Sequence, residues 1–272
     1  MRERTPVTDR FKKKVALVTG GASGIGRATV GELCREGASV AFMDINEAGR
    51  ATGQTLAEAG YDTLFFHGDM AQEDFCRTAV QSTIARWGKV DYLVNNAFSF
   101  TSGGLNATHA DWDRVMRVGP IAYATMAQLV TPSMKQHGGG AIVNMSSISA
   151  FIAQPARWTY NAAKGAVSTL TKCMALDLAP HRIRVNSVSP GWIWTSEVDK
   201  AAQGDRAKWE PIWGQYHILE RCGEPVECAA AILFLLSDDA AFITGTDLAV
   251  DGGYLALGPE GLGRSSKFAG SQ

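Results

Sequence analysis

No charge of either sign predominates in this chain: 26 Lys and Arg stand against 27 Asp and Glu, a formal net charge of −1. So even a balance gives no electrostatic footprint for nucleic acid or for an anionic membrane. Long apolar runs are missing as well. The longest near the C-terminus, 229–236, has eight residues, against the ~20 that a bilayer-spanning helix needs. The stretch before residue 15 is polar and basic, so no signal peptide is read there. The five cysteines (Cys34, Cys76, Cys173, Cys222, Cys228) contain no C-x-x-C and no paired spacing. They read as reduced thiols of a cytoplasmic protein and not as a disulfide framework. The five histidines (His67, His109, His137, His181, His217) are scattered, with no H-x-x-x-H and no His/Cys cluster, so no metal site is expected.

What is present is a core-forming chain of 272 residues, 46% hydrophobic, in which strands alternate with helices. Short apolar runs at 15–18, 39–43, 62–67, 92–94, 141–145, 183–188 and 247–250 read as strands. A first helix is expected to begin near Gly24, with Ile25, Thr29, Val30 and Leu33 periodic, and others near 46–60, 71–87, 108–137, 158–179 and 225–236, that at 108–137 interrupted at Gly119-Pro120. The segment 192–224 is read as irregular and rich in tryptophan. Right-handed crossovers then give a doubly wound, parallel seven-stranded sheet with helices on both faces, an α/β fold in a single domain. The expected divisions are a core at 12–255, a lid at about 192–220 and a loose tail at 258–272.

In such a sheet a ligand lies at the carboxyl ends of the strands. The first strand runs into Thr19-Gly20 and a helix opens near Gly24. Gly20, Gly24 and Gly26 suit a sharp turn that lets backbone approach a pyrophosphate at the helix start. Asp44, 18 residues beyond Gly26, ends the second strand, where a carboxylate can accept both ribose hydroxyls of an adenosine and repel a 2′-phosphate. NAD is therefore expected over NADP, and Ser23 agrees, standing where a basic residue could otherwise meet the phosphate. Asp44 could alternatively cap the following helix. Asp69 could cap its helix or accept from an adenine amino group.

Tyr160 and Lys164 are four apart on an expected helix, so they share a face. A phenol is a weak base at neutral pH. A neighbouring ammonium favours its phenolate. Ser147, at a strand end 13 residues before Tyr160, can donate to the same substrate oxygen.

Taken together, Thr19-Gly20-x-x-x-Gly24-x-Gly26, Asn95-Asn96-Ala97, Ser147, Tyr160-x-x-x-Lys164, Asn186 and Pro190-Gly191-x-x-x-Thr195 make residues 12–255 resemble a short-chain dehydrogenase/reductase. The resemblance implies Tyr160 as acid/base, Ser147 orienting the substrate oxygen, and Lys164 lowering the tyrosine pKa and holding the nicotinamide ribose. It implies a cofactor set of Gly20, Ser23, Gly24, Ile25, Gly26, Asp44, Asp69, Met70, Asn96, Tyr160, Lys164, Pro190, Ile193 and Thr195. Asn95 would brace the central sheet and line the groove. It also implies a homo-oligomer, a tetramer or dimer.

Two positions depart from the family pattern. Phe98 replaces a glycine and is expected to reshape the pocket wall. Gly119 replaces the asparagine that kinks the long helix and holds a proton-relaying water. A freed carbonyl near 116–119 is expected to hold that water instead. On that expectation, a large rise in turnover from Gly119→Asn would mark a defective relay. Selectivity is expected in the lid, with Trp192, Trp194, Trp209, Trp213 and Tyr216 as walls and Glu197, Gln215 and His217 as polar handles. The alternative reading is that most of these rings merely pack the lid. Ser149, Gln154, Trp158 and Trp192 are the expected substrate contacts, with Phe98, Phe151 and Arg157 near them, for a sugar, a polyol or a ring alcohol. An NADPH-dependent carbonyl reductase and a non-catalytic NAD sensor are the alternatives.

Overall fold

A computed structural model describes residues 9–258 and 261. Its seven strands are β1 (Val15–Thr19), β2 (Ser39–Asp44), β3 (Thr63–His67), β4 (Tyr92–Asn95), β5 (Gly140–Met145), β6 (Ile183–Pro190) and β7 (Asp247–Val250). They form one all-parallel sheet in the order 3-2-1-4-5-6-7. The order reverses between β1 and β4, and that is where a crevice opens.

Nine helices lie among the described residues: α1 (Gly24–Arg35), α2 (Gly49–Glu58), α3 (Glu73–Trp87), α4 (His109–Met116), α5 (Ala122–Gln136), α6 (Trp158–Leu178), α7 (Ser196–Ala201), α8 (Arg206–Gly214) and α9 (Pro225–Leu236). The inner strands β1, β2 and β4 are mostly apolar and buried because both faces are covered. Alternate residues of β1 feed two cores. Ala16 and Val18 join Val30 and Leu33 of α1 and Ile232 and Leu236 of α9. Leu17 joins Cys76 of α3, Met126 of α5 and Val167 of α6.

Two expectations need correction, and the expected interruption of the long helix at Gly119-Pro120 is found. The helix expected from 46 starts at Gly49, because Asp44 Oδ1 accepts from Asn46 N and Asn46 Oδ1 from Ala48 N, both at 2.9 Å. Those side-chain turns compete with helix. The long helix is two helices joined by a wide π turn, Arg117–Ile121, with Gly119 at φ −86°, ψ −113°. Pro120 has no N–H to give and forces the break. The stretch expected to be irregular contains α7 and α8, whose starts are capped by Thr195 and Asp205 side chains. The expected tail lies almost wholly outside the described residues.

Candidate active site

The crevice at the carboxyl ends of β1 and β4 is built by backbone. Thr19 Oγ1 accepts from Asn96 N at 2.9 Å and Ala97 N at 3.0 Å, and Asn96 Nδ2 donates to Thr19 O and Gly20 O at 3.0 and 2.9 Å. Side chains would fill this cradle. A Cβ on Gly26 would stand 2.0 Å from Gly20 O, and one on Gly20, at φ +67°, 2.7 Å from Ala97 Cα. Ser23 precedes α1 without capping it, and no acid occupies the first turn. The first N–H groups of α1 and its positive dipole end are thus left for an anion. These residues fit a dinucleotide's pyrophosphate. Gly26→Ala is expected to weaken NAD binding more than tenfold and lower the thermal midpoint, since overpacking costs about 1–3 kcal/mol; calorimetry with and without NAD reads both.

Asp44 is not a helix cap: α2 is preceded by Ala48. One oxygen of Asp44 accepts from Ala22 N at 2.9 Å and the other from Asn46 N, which fixes the carboxylate at the groove. Asp69 does not cap α3 either. It accepts from Ala71 N at 2.9 Å and is ion-paired to Arg114. Arg114 is the one cation lining the groove among the described residues, and it is taken. Gly20, Ser23, Gly24, Ile25, Asp44, Asp69, Met70, Asn96 and Thr195 all line the groove. Gly26, Tyr160, Lys164, Pro190 and Ile193 are not among its lining residues. Pro190 is buried in the β6 ladder beside Val250, and Ile193 packs against Gly223 under the lid. Asn95 is also turned away, fully buried and bonded to Asn144 Oδ1 at 2.9 Å and Tyr123 O at 3.3 Å. It braces the sheet and does not line the groove.

Ser147, Tyr160 and Lys164 are brought together and all are buried. Burial pushes the Tyr160 phenol up, opposed by a hydrogen bond from Ser147 and by the Arg157 charge. Burial alone pushes the Lys164 amine down to about 7. Lys164 Nζ donates to Met145 O at 2.8 Å and lies 5.7 Å from the Tyr160 ring centroid. A hydroxyl donor, a phenol and an amine on one helix turn can exchange a proton with a substrate oxygen.

Residues 20–255 match the family described as Enoyl-(Acyl carrier protein) reductase. Cyclopentanol dehydrogenase of Comamonas testosteroni is 39% identical over 252 residues, covering 91% of this chain and 99% of that protein. L-fucose dehydrogenase of Mus musculus is 38% identical, covering 90% and 89%. The ligand-free aldohexose dehydrogenase of Thermoplasma acidophilum superposes with a TM-score of 0.84 at 34% identity, covering 93% of this chain and 98% of that one. The chain is a short-chain dehydrogenase/reductase.

As a short-chain dehydrogenase/reductase it is an oxidoreductase of hydroxyl donors with a nicotinamide cofactor. Its expected substrate contacts are dispersed. Ser149 Oγ donates to Gln154 Oε1 at 2.7 Å, and Trp158 is 55% exposed at the start of α6. Trp192 is stacked on Trp213 at 5.0 Å. Trp213 also meets Trp209 at 5.1 Å and Trp194 at 5.9 Å, so these lid rings pack on one another. His217 accepts from Trp192 N at 3.2 Å and packs against Tyr254, holding the lid's base. Among the described residues no three His, Cys, Asp or Glu groups could hold a metal, and no helix is long and apolar enough to cross a membrane.

Two residues of the site were not anticipated. Phe100 stacks on the Tyr160 ring at 5.9 Å and 18°. Its signal was present in the alternation Phe98-x-Phe100, which puts both rings on one side of an extended segment. Arg114, the partner of Asp69, had no signal, because its pairing spans two distant elements.

Proposed function

We propose that this enzyme oxidises a secondary alcohol carried on a ring, with NAD as acceptor. The observation that supports it most is the buried Tyr160 phenol, hydrogen-bonded by Ser147, followed one turn later by Lys164, and packed on Phe98 and Phe100, which line the same groove as Asp44. Gly20, Ser23, Asp44 and Thr195 would hold the dinucleotide, which would supply the acceptor for the hydride of the carbinol carbon. Ser147 donates to the alcohol oxygen and orients it. Tyr160, as phenolate, accepts the hydroxyl proton, and Lys164 stabilises that phenolate by its charge. Phe98 and Phe100 exclude water from the phenol, which strengthens each of these interactions.

A ring alcohol is favoured over an open polyol because the surface beside Tyr160 is aromatic: Phe100 stacks on its ring and is 57% exposed. Cyclopentanol and trans-4-hydroxycyclohexanecarboxylate dehydrogenases are among the similar proteins. This reading includes a cytoplasmic homo-oligomer, tetramer or dimer. The exposed Ile121 and Leu176, by the long helices, support association, and sedimentation measures it. A panel of cyclic, open-chain and sugar alcohols with NAD tests the substrate class: cyclic alcohols are expected to give the highest kcat/KM, and an equal or better open-chain polyol contradicts it.

The pH dependence follows from the proton. Oxidation requires the Tyr160–Lys164 pair to have lost one proton, so kcat/KM for the alcohol rises with pH. Reduction of the ketone requires that proton back and falls. Lys164→Met removes the charge that favours phenolate, and its oxidation limb is expected at higher pH.

A further inference from the structure

Phe98 leaves β4 directly after Asn95-Asn96-Ala97, and its ring touches three things at once. Lys164 Nζ lies 3.6 Å from the ring centroid. The Tyr160 ring meets it edge to face at 5.3 Å and 83°. On another side is Gly119, where a Cβ would come within 2.6 Å of Phe98 Cε2. Lys164 is 3% exposed, and the protein acceptor of its amine is Met145 O. An ammonium has three donors, so a single carbonyl leaves it poorly compensated away from water. An aromatic face directly beneath it supplies attraction of the kind that strengthens with desolvation.

We propose that Phe98 is a positioning residue for the Tyr160–Lys164 pair: its ring, seated in the room that Gly119 leaves, carries the Lys164 amine on its face and packs at right angles to the Tyr160 ring. The two departures from the family pattern are then one feature, since the ring at 98 needs the missing side chain at 119. Phe98 also lines the groove, as expected of a ring that reshapes the pocket wall. At the kink, Arg117 O and Gly119 O share the single donor Ala122 N, so each keeps acceptor capacity. The titratable groups facing Lys164 are Tyr160 one turn back on α6 and, beyond it, the Tyr123 phenol of α5 and the Arg157 guanidinium. Among the described residues no carboxylate acts on the Lys164 amine. The inference rests on Tyr160 being the acid/base, but its first test does not require turnover.

That test titrates the Lys164 amine by ¹⁵N NMR in cofactor-free protein carrying phenylalanine, its mono-, di- and trifluoro analogues, or leucine at position 98. Fluorination drains the ring face of negative charge with little change of shape. The midpoint is expected to fall stepwise, and Phe98→Leu to shift the ammonium/amine equilibrium about tenfold toward the amine. Oxidation follows the same order, its limb moving to higher pH as the phenolate loses its charged neighbour. A midpoint and a pH profile indifferent to the fluorines overturn the proposal.

The second test concerns Gly119. Gly119→Ala is expected to lower turnover about tenfold by displacing the ring, and Gly119→Asn more. In a Phe98→Ala background Gly119→Ala should cost nothing, because its methyl enters vacated space. Equal costs in both backgrounds overturn the proposal. A protein that oxidises no alcohol yet shows the stepwise amine shift refutes the dehydrogenase mechanism and supports the hold of Phe98 on Lys164.

Discussion

Replacing Tyr160 by phenylalanine is expected to reduce turnover about 10³-fold, within the range that a positioned acid or base contributes, and to leave NAD affinity unchanged. The change removes one buried oxygen and leaves the ring, against which Phe98 packs at right angles and Phe100 stacks. Packing is therefore kept, and the loss reports the proton transfer itself. Ser147→Ala leaves the phenol in place and removes the hydroxyl that hydrogen-bonds it, so it should cost less. Steady-state kinetics with a cyclic alcohol, together with NAD titration by fluorescence, separate the two effects. A Tyr160→Phe enzyme with unchanged kcat would remove the phenol from the mechanism.

The second large effect concerns the choice of cofactor. A unit charge brought to about 4 Å from the Asp44 carboxylate at an effective dielectric of about 20 is repelled by about 4 kcal/mol, roughly 10³-fold. Asp44 cannot swing aside cheaply, since its oxygens hold Ala22 N and Asn46 N, and the nearest cation, Arg114, is bound to Asp69. The enzyme is expected to prefer NAD to NADP by at least about 10²-fold in kcat/KM. Asp44→Ala should lose most of that preference, from both sides: the ribose hydroxyls lose an acceptor and a 2′-phosphate loses its repeller. Equal use of both cofactors by the unaltered enzyme contradicts the assignment of Asp44.

Much of this site was legible in the sequence because its signals are local. Gly20, Gly24 and Gly26 sit between an apolar run and a periodic helix, and the spacing alone implies a strand-to-helix turn. Tyr160 and Lys164 are one helical turn apart, so any helix there unites them. Asp44 could be placed at a strand end, though its two backbone bonds could not be foreseen, and these displaced the start of α2.

Other features were beyond the reach of periodicity. Helix α7 has only six residues, and α8 is short and interrupted by Pro211, so no 3.6-residue pattern marks them. Pro190 and Ile193 lie in the right segment, but the course of β6 turns one into the ladder and the other beneath the lid. The position of Phe98 depends on Gly119 and Lys164, which are distant in sequence, so its meaning appears only when α5 and α6 are packed on the sheet.

The central claim is hydride transfer from a secondary carbinol carbon to NAD with Tyr160 taking the proton. It is tested most directly by incubating the enzyme with NAD and a cyclic alcohol deuterated at the carbinol carbon. Reduced NAD carrying that deuterium is expected, with one ketone formed per NAD reduced and the transfer abolished in Tyr160→Phe. Tight NAD binding with no reduced cofactor from any cyclic, open-chain or sugar alcohol would contradict the account.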